Sequence, residues 1–184
     1  MKFADDSKVF RNVPSIADIE SLSSDLATLC KWSEDWLMLF NYDKCKVIHF
    51  GKNNVNADYV LGGNILEAVN FERDLGVVIQ NDLKVTEQCT KVVKTANKIL
   101  GMINRTISFK TKDNIVRLYK SLLRPHLEYC VQSWRPHLVK DINLLEKVQR
   151  RATRLIPTLK GLSYEQRLHA LSLTTLECRR LRVI

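Results

Sequence analysis

Val85, Cys89, Val92, Ala96, Ile99 and Ile103 step by 4, 3, 4, 3 and 4 residues, and this spacing constrains the fold more than any other feature. Such positions share one face of an α-helix. The segment is therefore a helix buried along one side, and other elements must cover that side. The residues beyond Ile103 keep the same character. Thr111 is placed to cap a helix that turns Ile115, Leu118, Tyr119 and Leu122 inward. Pro125 should kink or restart it. Tyr129, Trp134 and Pro136 form an aromatic cluster assigned to the core. A helix from Asp141 to Ile156 would pack Ile142, Leu145, Val148, Ala152 and Leu155. Ser163-x-x-Gln166 and Thr174-x-x-Glu177 read as capping boxes opening two short helices.

The front of the chain is patterned differently. Pro14-Ser15 opens a helix running to about Phe40, with Ile16, Ile19, Leu26, Leu29, Trp36 and Phe40 as its core stripe. Cys45 to Phe50 is apolar on both faces, so it is expected as a strand inside a sheet, covered by that helix. Tyr59–Leu61 and Ile65–Glu67 flank Gly62-Gly63-Asn64 as a hairpin, and Leu75–Ile79 is another β-rich run. The change from strands to helices sets a boundary near Asn81. The expected fold is α+β, with domains over residues 1–81 and 82–184.

Charge divides the chain in nearly the same place. Residues 1–90 carry 9 Lys and Arg against 14 Asp and Glu; residues 91–184 carry 20 against 6. A net +14 in the back half calls for a polyanionic partner, nucleic acid or an anionic membrane surface, unless the basic helices are simply solvated. Lys91, Lys94 and Lys98 fall on a different helix face from the apolar stripe. Lys147, Arg151 and Arg154 recur at i, i+4 and i+7, with Arg150 beside them. The five cysteines are scattered without a C-x-x-C, which points to reduced, buried thiols, no zinc site and an intracellular setting, cytoplasmic or nuclear. No run is long and apolar enough to cross a membrane, and the N-terminus lacks a secretory pattern.

Phe3-Ala4-Asp5-Asp6 followed by Val9-Phe10 reads as a tight hairpin with two acids at its tip. On the residues alone this is a solvated turn or a pair of carboxylates directed at one divalent cation. Several stretches taken together decide between them. Phe3-Ala4-Asp5-Asp6, Trp36-Leu37-Met38-Leu39-Phe40-Asn41-Tyr42-Asp43-Lys44-Cys45-Lys46-Val47, Arg73-Asp74-Leu75-Gly76-Val77, Leu123-Arg124-Pro125-His126-Leu127-Glu128-Tyr129-Cys130 and Leu145-Glu146-Lys147-Val148-Gln149-Arg150-Arg151-Ala152-Thr153 resemble, in order and spacing, the reverse transcriptases of jockey-like non-LTR (LINE-type) retrotransposons.

The resemblance implies RNA-templated DNA synthesis by two-metal nucleotidyl transfer to a primer 3′-hydroxyl. Asp5 and Asp6 match the ligands of Mg²⁺ or Mn²⁺. Lys44 matches a lysine near the departing pyrophosphate, though a surface lysine at a loop–strand junction reads equally well. Leu75-Gly76 matches the element that grips the primer end, or else is a glycine bulge in a buried strand. RNA template, DNA primer and deoxynucleotide triphosphates are the implied partners. The family carries a further catalytic aspartate, fingers and an endonuclease domain upstream of this hairpin. The chain starts two residues before Phe3, so a partial palm (a small antiparallel sheet with one covering helix) followed by an all-α thumb-like region is expected, inactive by itself. Two other classes remain open: a non-catalytic nucleic-acid-binding module, and an α-helical protein-interaction domain.

Overall fold

A computed structural model of the chain describes residues 2–3 and 6–182. The chain divides into two compact units, residues 1–73 with 79–83, and residues 74–78 with 84–184. In unit 1 strands β1 (Lys2–Phe3) and β2 (Asp6–Ser7) pair antiparallel, with Phe3 opposite Asp6. Helix α1 (Ile16–Asp35) follows. Strand β3 (Lys46–Val47) pairs in parallel with β6 (Glu67–Ala68), and β4 (Val60–Leu61) pairs with β5 (Asn64–Ile65) as the expected glycine-turn hairpin. Strands β7 (Phe71–Asp74) and β8 (Val77–Gln80) form a fourth pair. Where one small antiparallel sheet was expected, the described strands make four separate two-stranded pairs, and one of them is parallel.

Helix α1 is shorter than its apolar stripe suggested, and it buries a different face. It ends in a Schellman-type turn: Leu37 N–H donates to Glu34 O and Met38 N–H to Ser33 O, with Leu37 at φ 54° where glycine is usual. Ile16 and Trp36, both assigned to the core, are exposed, Trp36 at 68%. The packed face is Ile19, Leu22, Leu26 and Cys30, against Tyr59 and Leu61. Ser33 joins it in full burial because its hydroxyl donates to Cys30 O at 2.8 Å. The predicted inner strand from Cys45 to Phe50 shrinks to Lys46–Val47, half-buried, since Lys46 must reach the carboxyl of Glu67 beside it. Gly62 is demanded by its neighbour: with φ at +56°, a Cβ there would lie 2.4 Å from the Tyr42 ring.

Unit 2 is helical: α2 (Thr86–Thr106), α3 (Lys112–Leu118), a π-helical segment Tyr119–Leu123, α4 (Arg124–Glu128), α5 (Val139–Arg154), α6 (Tyr164–Ala170) and α7 (Leu176–Leu181). The 85–103 stripe packs as read, with Leu100 buried and Ile99 at its margin. Thr111 caps α3 by accepting from Asn114 N–H, and Ser163 and Gln166 close a full capping box on α6. The second expected box is displaced by one residue. Thr174 O accepts from the Gln149 amide at 3.0 Å, and the cap of α7 passes to Thr175, whose hydroxyl accepts from Cys178 N–H.

Residues 112–128 bury Ile115, Tyr119, Leu123 and Leu127, while Leu122, assigned inward, is exposed. Four-residue steps on a 3.6-residue turn drift by about 40° each. The π segment underwinds the helix and returns Leu123 and Leu127 to the core face. It also lies just ahead of Pro125, which brings no N–H to an α-helical ladder. Trp134 is fully buried, but Tyr129 is not core: it is 56% exposed. The cysteines are free, and Cys130 is exposed where a buried thiol was expected. Burial pushes the Cys89 thiol up to about 12.

A polar network fixes α5 inside this unit. Tyr119 O–H donates to Gln149 Oε1, Gln149 Nε2 donates to Tyr164 Oη at 2.8 Å, and Tyr164 O–H donates to Glu146 Oε1. Glu146 Oε2 accepts from Leu176 N–H at 3.0 Å, holding the first residue of α7. Burial holds both phenols well above the ordinary tyrosine range, with the Glu146 carboxyl adding to the effect. A group whose folded pKa is raised contributes stability that is complete below its unfolded pKa, near 10, and is lost as pH rises beyond it. Two of the five tyrosines should therefore ionise only as the helical unit unfolds. A phenolate absorbance titration run alongside circular dichroism checks this. All five ionising with helix content intact would contradict it.

Candidate nucleic-acid interface and the Asp-Asp hairpin

Helices α2 and α5 pack against each other. Thr86 donates its hydroxyl hydrogen to Asp141 Oδ2 at 2.9 Å, and Arg151 Nη1 donates to Asn97 Oδ1 at 3.2 Å. The contacts advance together along both helices, from 86 to 97 and from 141 to 151, so the helices run in the same direction. Their stripes require this contact: Val92, Val93, Ala96 and Leu100 of α2 meet the core with Leu145, Val148 and Ala152 of α5. The outward faces then lie side by side. Lys94 and Lys98 flank Asn97 on α2, and Lys147, Arg151 and Arg154 line α5, all exposed.

The two helices carry nine Lys and Arg but three acids, Glu87, Asp141 and Glu146. Asp141 is 2% exposed and serves Thr86; Glu146 is 7% exposed and serves Tyr164 and Leu176. Glu87 lies in the first turn of α2. Two of the three acids are thus withdrawn from the surface, whereas Glu87 is exposed seven residues before Lys94, on the lysine face of α2; on α5 no exposed acid stands beside Lys147, Arg151 and Arg154. Chemically this is a surface for phosphates, where arginine adds bidentate hydrogen bonding.

The other basic candidates are placed differently. Arg150 is exposed but stacks over the Tyr164 ring, 4.7 Å from its centroid. Lys91 is half-buried, with its amine donating to Gly76 O at 3.2 Å. Leu75 and Gly76 are the two residues joining β7 to β8, at φ 44° and 90°, as a type I′ turn requires. They form a hairpin tip, not a bulge in a buried strand. Tyr129 O–H donates to Leu75 O at 3.0 Å, and a Cβ on Gly76 would stand 3.2 Å from the Tyr129 ring. The close approach that glycine permits here is used by this chain's own tyrosine. Sequence reading passed over Asn97, because an asparagine between lysines resembles any helix surface. Tyr129 it misassigned, because an aromatic beside Trp134 reads as core.

In unit 1, Asp6 is exposed in β2, and Asp5 lies outside the described residues. Lys44 is exposed at the end of a short 3₁₀ turn, Tyr42–Lys44. Among the described residues no three His, Cys, Asp or Glu side chains gather as a metal site would. No described helix is long and apolar enough to cross a membrane.

The chain is 24% identical over 159 residues to the RNA-directed DNA polymerase from mobile element jockey of Drosophila melanogaster, a match covering 84% of this chain and 17% of that polymerase. It is 25% identical over 160 residues to the jockey polymerase of Drosophila funebris, covering 81% and 17%. The resemblance read from the motifs is found again here: over most of its length the chain is similar to a jockey-like non-LTR reverse transcriptase. It spans about 17% of the length of these curated relatives. No family model matches the chain, and no solved structure matches it.

Proposed function

We propose that the chain works as part of an RNA-directed DNA polymerase of a mobile element. Unit 1 would be palm-like and unit 2 thumb-like, with the outer face of α2 and α5 carrying a primer–template. The similarity to the jockey polymerases is the observation that supports this reading. The basic face, on which α5 exposes three cations and no acid, supports its nucleic-acid part, as phosphate neutralisation supplies most sequence-independent affinity. Asp5 and Asp6 would hold Mg²⁺ or Mn²⁺. The exposed Asp6 carboxyl offers hard oxygen donors, and such ions are commonly held by one or two carboxylates plus substrate phosphates. When bound, the metal would supply charge to the attacking and leaving oxygens. Lys44 would stand near the departing pyrophosphate, and the Leu75-Gly76 tip near the primer end.

These 184 residues alone should bind primer–template without extending it. They match a small part of the polymerase, and the described residues gather no larger ligand set. Filter binding and primer extension with purified protein test both halves. Salt-sensitive binding of unrelated duplexes, unchanged in the Asp5→Ala, Asp6→Ala double variant, is expected. An absence of such binding would sink the nucleic-acid reading. Template-dependent extension, abolished in the double variant, would overturn the expected inactivity.

A further inference from the structure

Beyond the α2–α5 face, unit 2 holds a cleft of about 470 Å³ formed around the end of α5, the 3₁₀ turn Pro157–Leu159 and α6. Leu155, Pro157 and Leu159 give it apolar walls, and Arg154, Lys160 and Arg167 also line it. Arg154 and Lys160 are exposed, whereas Arg167 is 7% exposed. A buried guanidinium loses hydration that only hydrogen bonds and opposite charge can replace. Arg167 has little of either. Nη1 donates to Leu162 O at 3.4 Å, the guanidinium carbon lies 5.8 Å from the Tyr164 ring centroid, and Nε has no hydrogen-bond partner. Among the described residues none of the three cations forms an ion pair, and the nearby Glu165 is exposed.

We propose that this cleft binds a terminal phosphate, a phosphomonoester carried by a nucleotide or by the 5′ end of a strand. Three cations with no carboxylate among the lining residues suit the roughly −1.5 to −2 charge of a monoester better than the single charge of a backbone diester. Arg167 lines the cleft, and its guanidinium fork suits paired hydrogen bonds to phosphate oxygens there. The apolar walls take the group that bears the phosphate. The site shares only Arg154 with the α2–α5 face, so either can fail without the other.

Calorimetric titration of the full chain with inorganic phosphate, thymidine 5′-monophosphate and thymidine tests it. The two phosphates should saturate, and thymidine should not bind. Lys160→Gln should weaken thymidine 5′-monophosphate about tenfold, the loss of one charged contact, and Arg167→Gln should abolish it. The Lys94→Gln, Lys98→Gln double variant should bind it unchanged. Should Arg167→Gln fail to fold, the exposed Lys160 decides. Displacement by a 5′-phosphorylated oligonucleotide, but not by its unphosphorylated twin, would assign a strand end; displacement by neither would assign the free nucleotide. Non-saturating binding, wild-type binding in Lys160→Gln, equal loss in the Lys94, Lys98 variant, or displacement by both oligonucleotides would overturn the site.

Discussion

Glu146→Ala is expected to destabilise the helical unit by about 3 kcal/mol, a fall of roughly 15 °C in its melting temperature. The side chain accepts from Tyr164 O–H and Gln149 Nε2 through one oxygen and from Leu176 N–H through the other. Truncation strands the Tyr164 O–H and the Leu176 N–H where water does not replace the acceptor, while Gln149 keeps Tyr164 Oη and Thr174 O, and it releases the first residue of α7. The effect should exceed that of an ordinary surface Glu→Ala change, which stays within about 0.5 kcal/mol. Glu146→Gln keeps one acceptor oxygen and should cost less than half as much. Thermal melts followed by circular dichroism check the pair. An alanine variant melting with wild type would mean that the network adds nothing.

That network also marks where the sequence stopped being legible. Glu146 and Gln149 are residue types expected outside, and their partners Tyr119, Tyr164 and Thr174 stand far off along the chain. Spacing on α5 placed Leu145, Val148 and Ala152 correctly, but it could not show that acids and amides shared the buried side. The same network displaced the cap from Thr174 to Thr175, since a carbonyl engaged by Gln149 holds Thr174 in place. Local chemistry was readable wherever its partners were close by. Thr111, the Ser163–Gln166 box and the Gly62-Gly63 hairpin each use groups within a few residues. The end of α1 was not readable, because Leu37 takes a left-handed conformation that glycine normally signals. The inward face of residues 112–128 was missed for a related reason: a π segment changes the helical period that the stripe assumed.

On the candidate site, spacing alone put Lys147, Arg151 and Arg154 together on one exposed face, and the structure sets them beside Lys94 and Lys98. What spacing could not supply is the direction of α2 against α5, set by the Thr86–Asp141 and Asn97–Arg151 contacts. Nor could it show that Asp141 and Glu146 are withdrawn from the surface. That withdrawal separates this face from a helix surface laced with ion pairs, where the cations would already be matched.

The second large effect follows from that unopposed charge. Lys147→Gln, Arg151→Gln and Arg154→Gln together should weaken binding similarly for unrelated duplexes, because phosphate contacts position without reading bases. Glutamine keeps length and polarity, and the inward stripe Leu145, Val148 and Ala152 is untouched, so the fold should persist. Each neutralised phosphate contributes about 0.9 to the slope of log affinity against log salt for duplex DNA, so three lost contacts should flatten it by up to about 2.7. The direct measurement is a filter-binding series over several salt concentrations for wild type and triple variant, with circular dichroism on both. A flatter slope and weaker binding are expected for every duplex tried; identical slopes in two folded proteins would remove α5 from the interface.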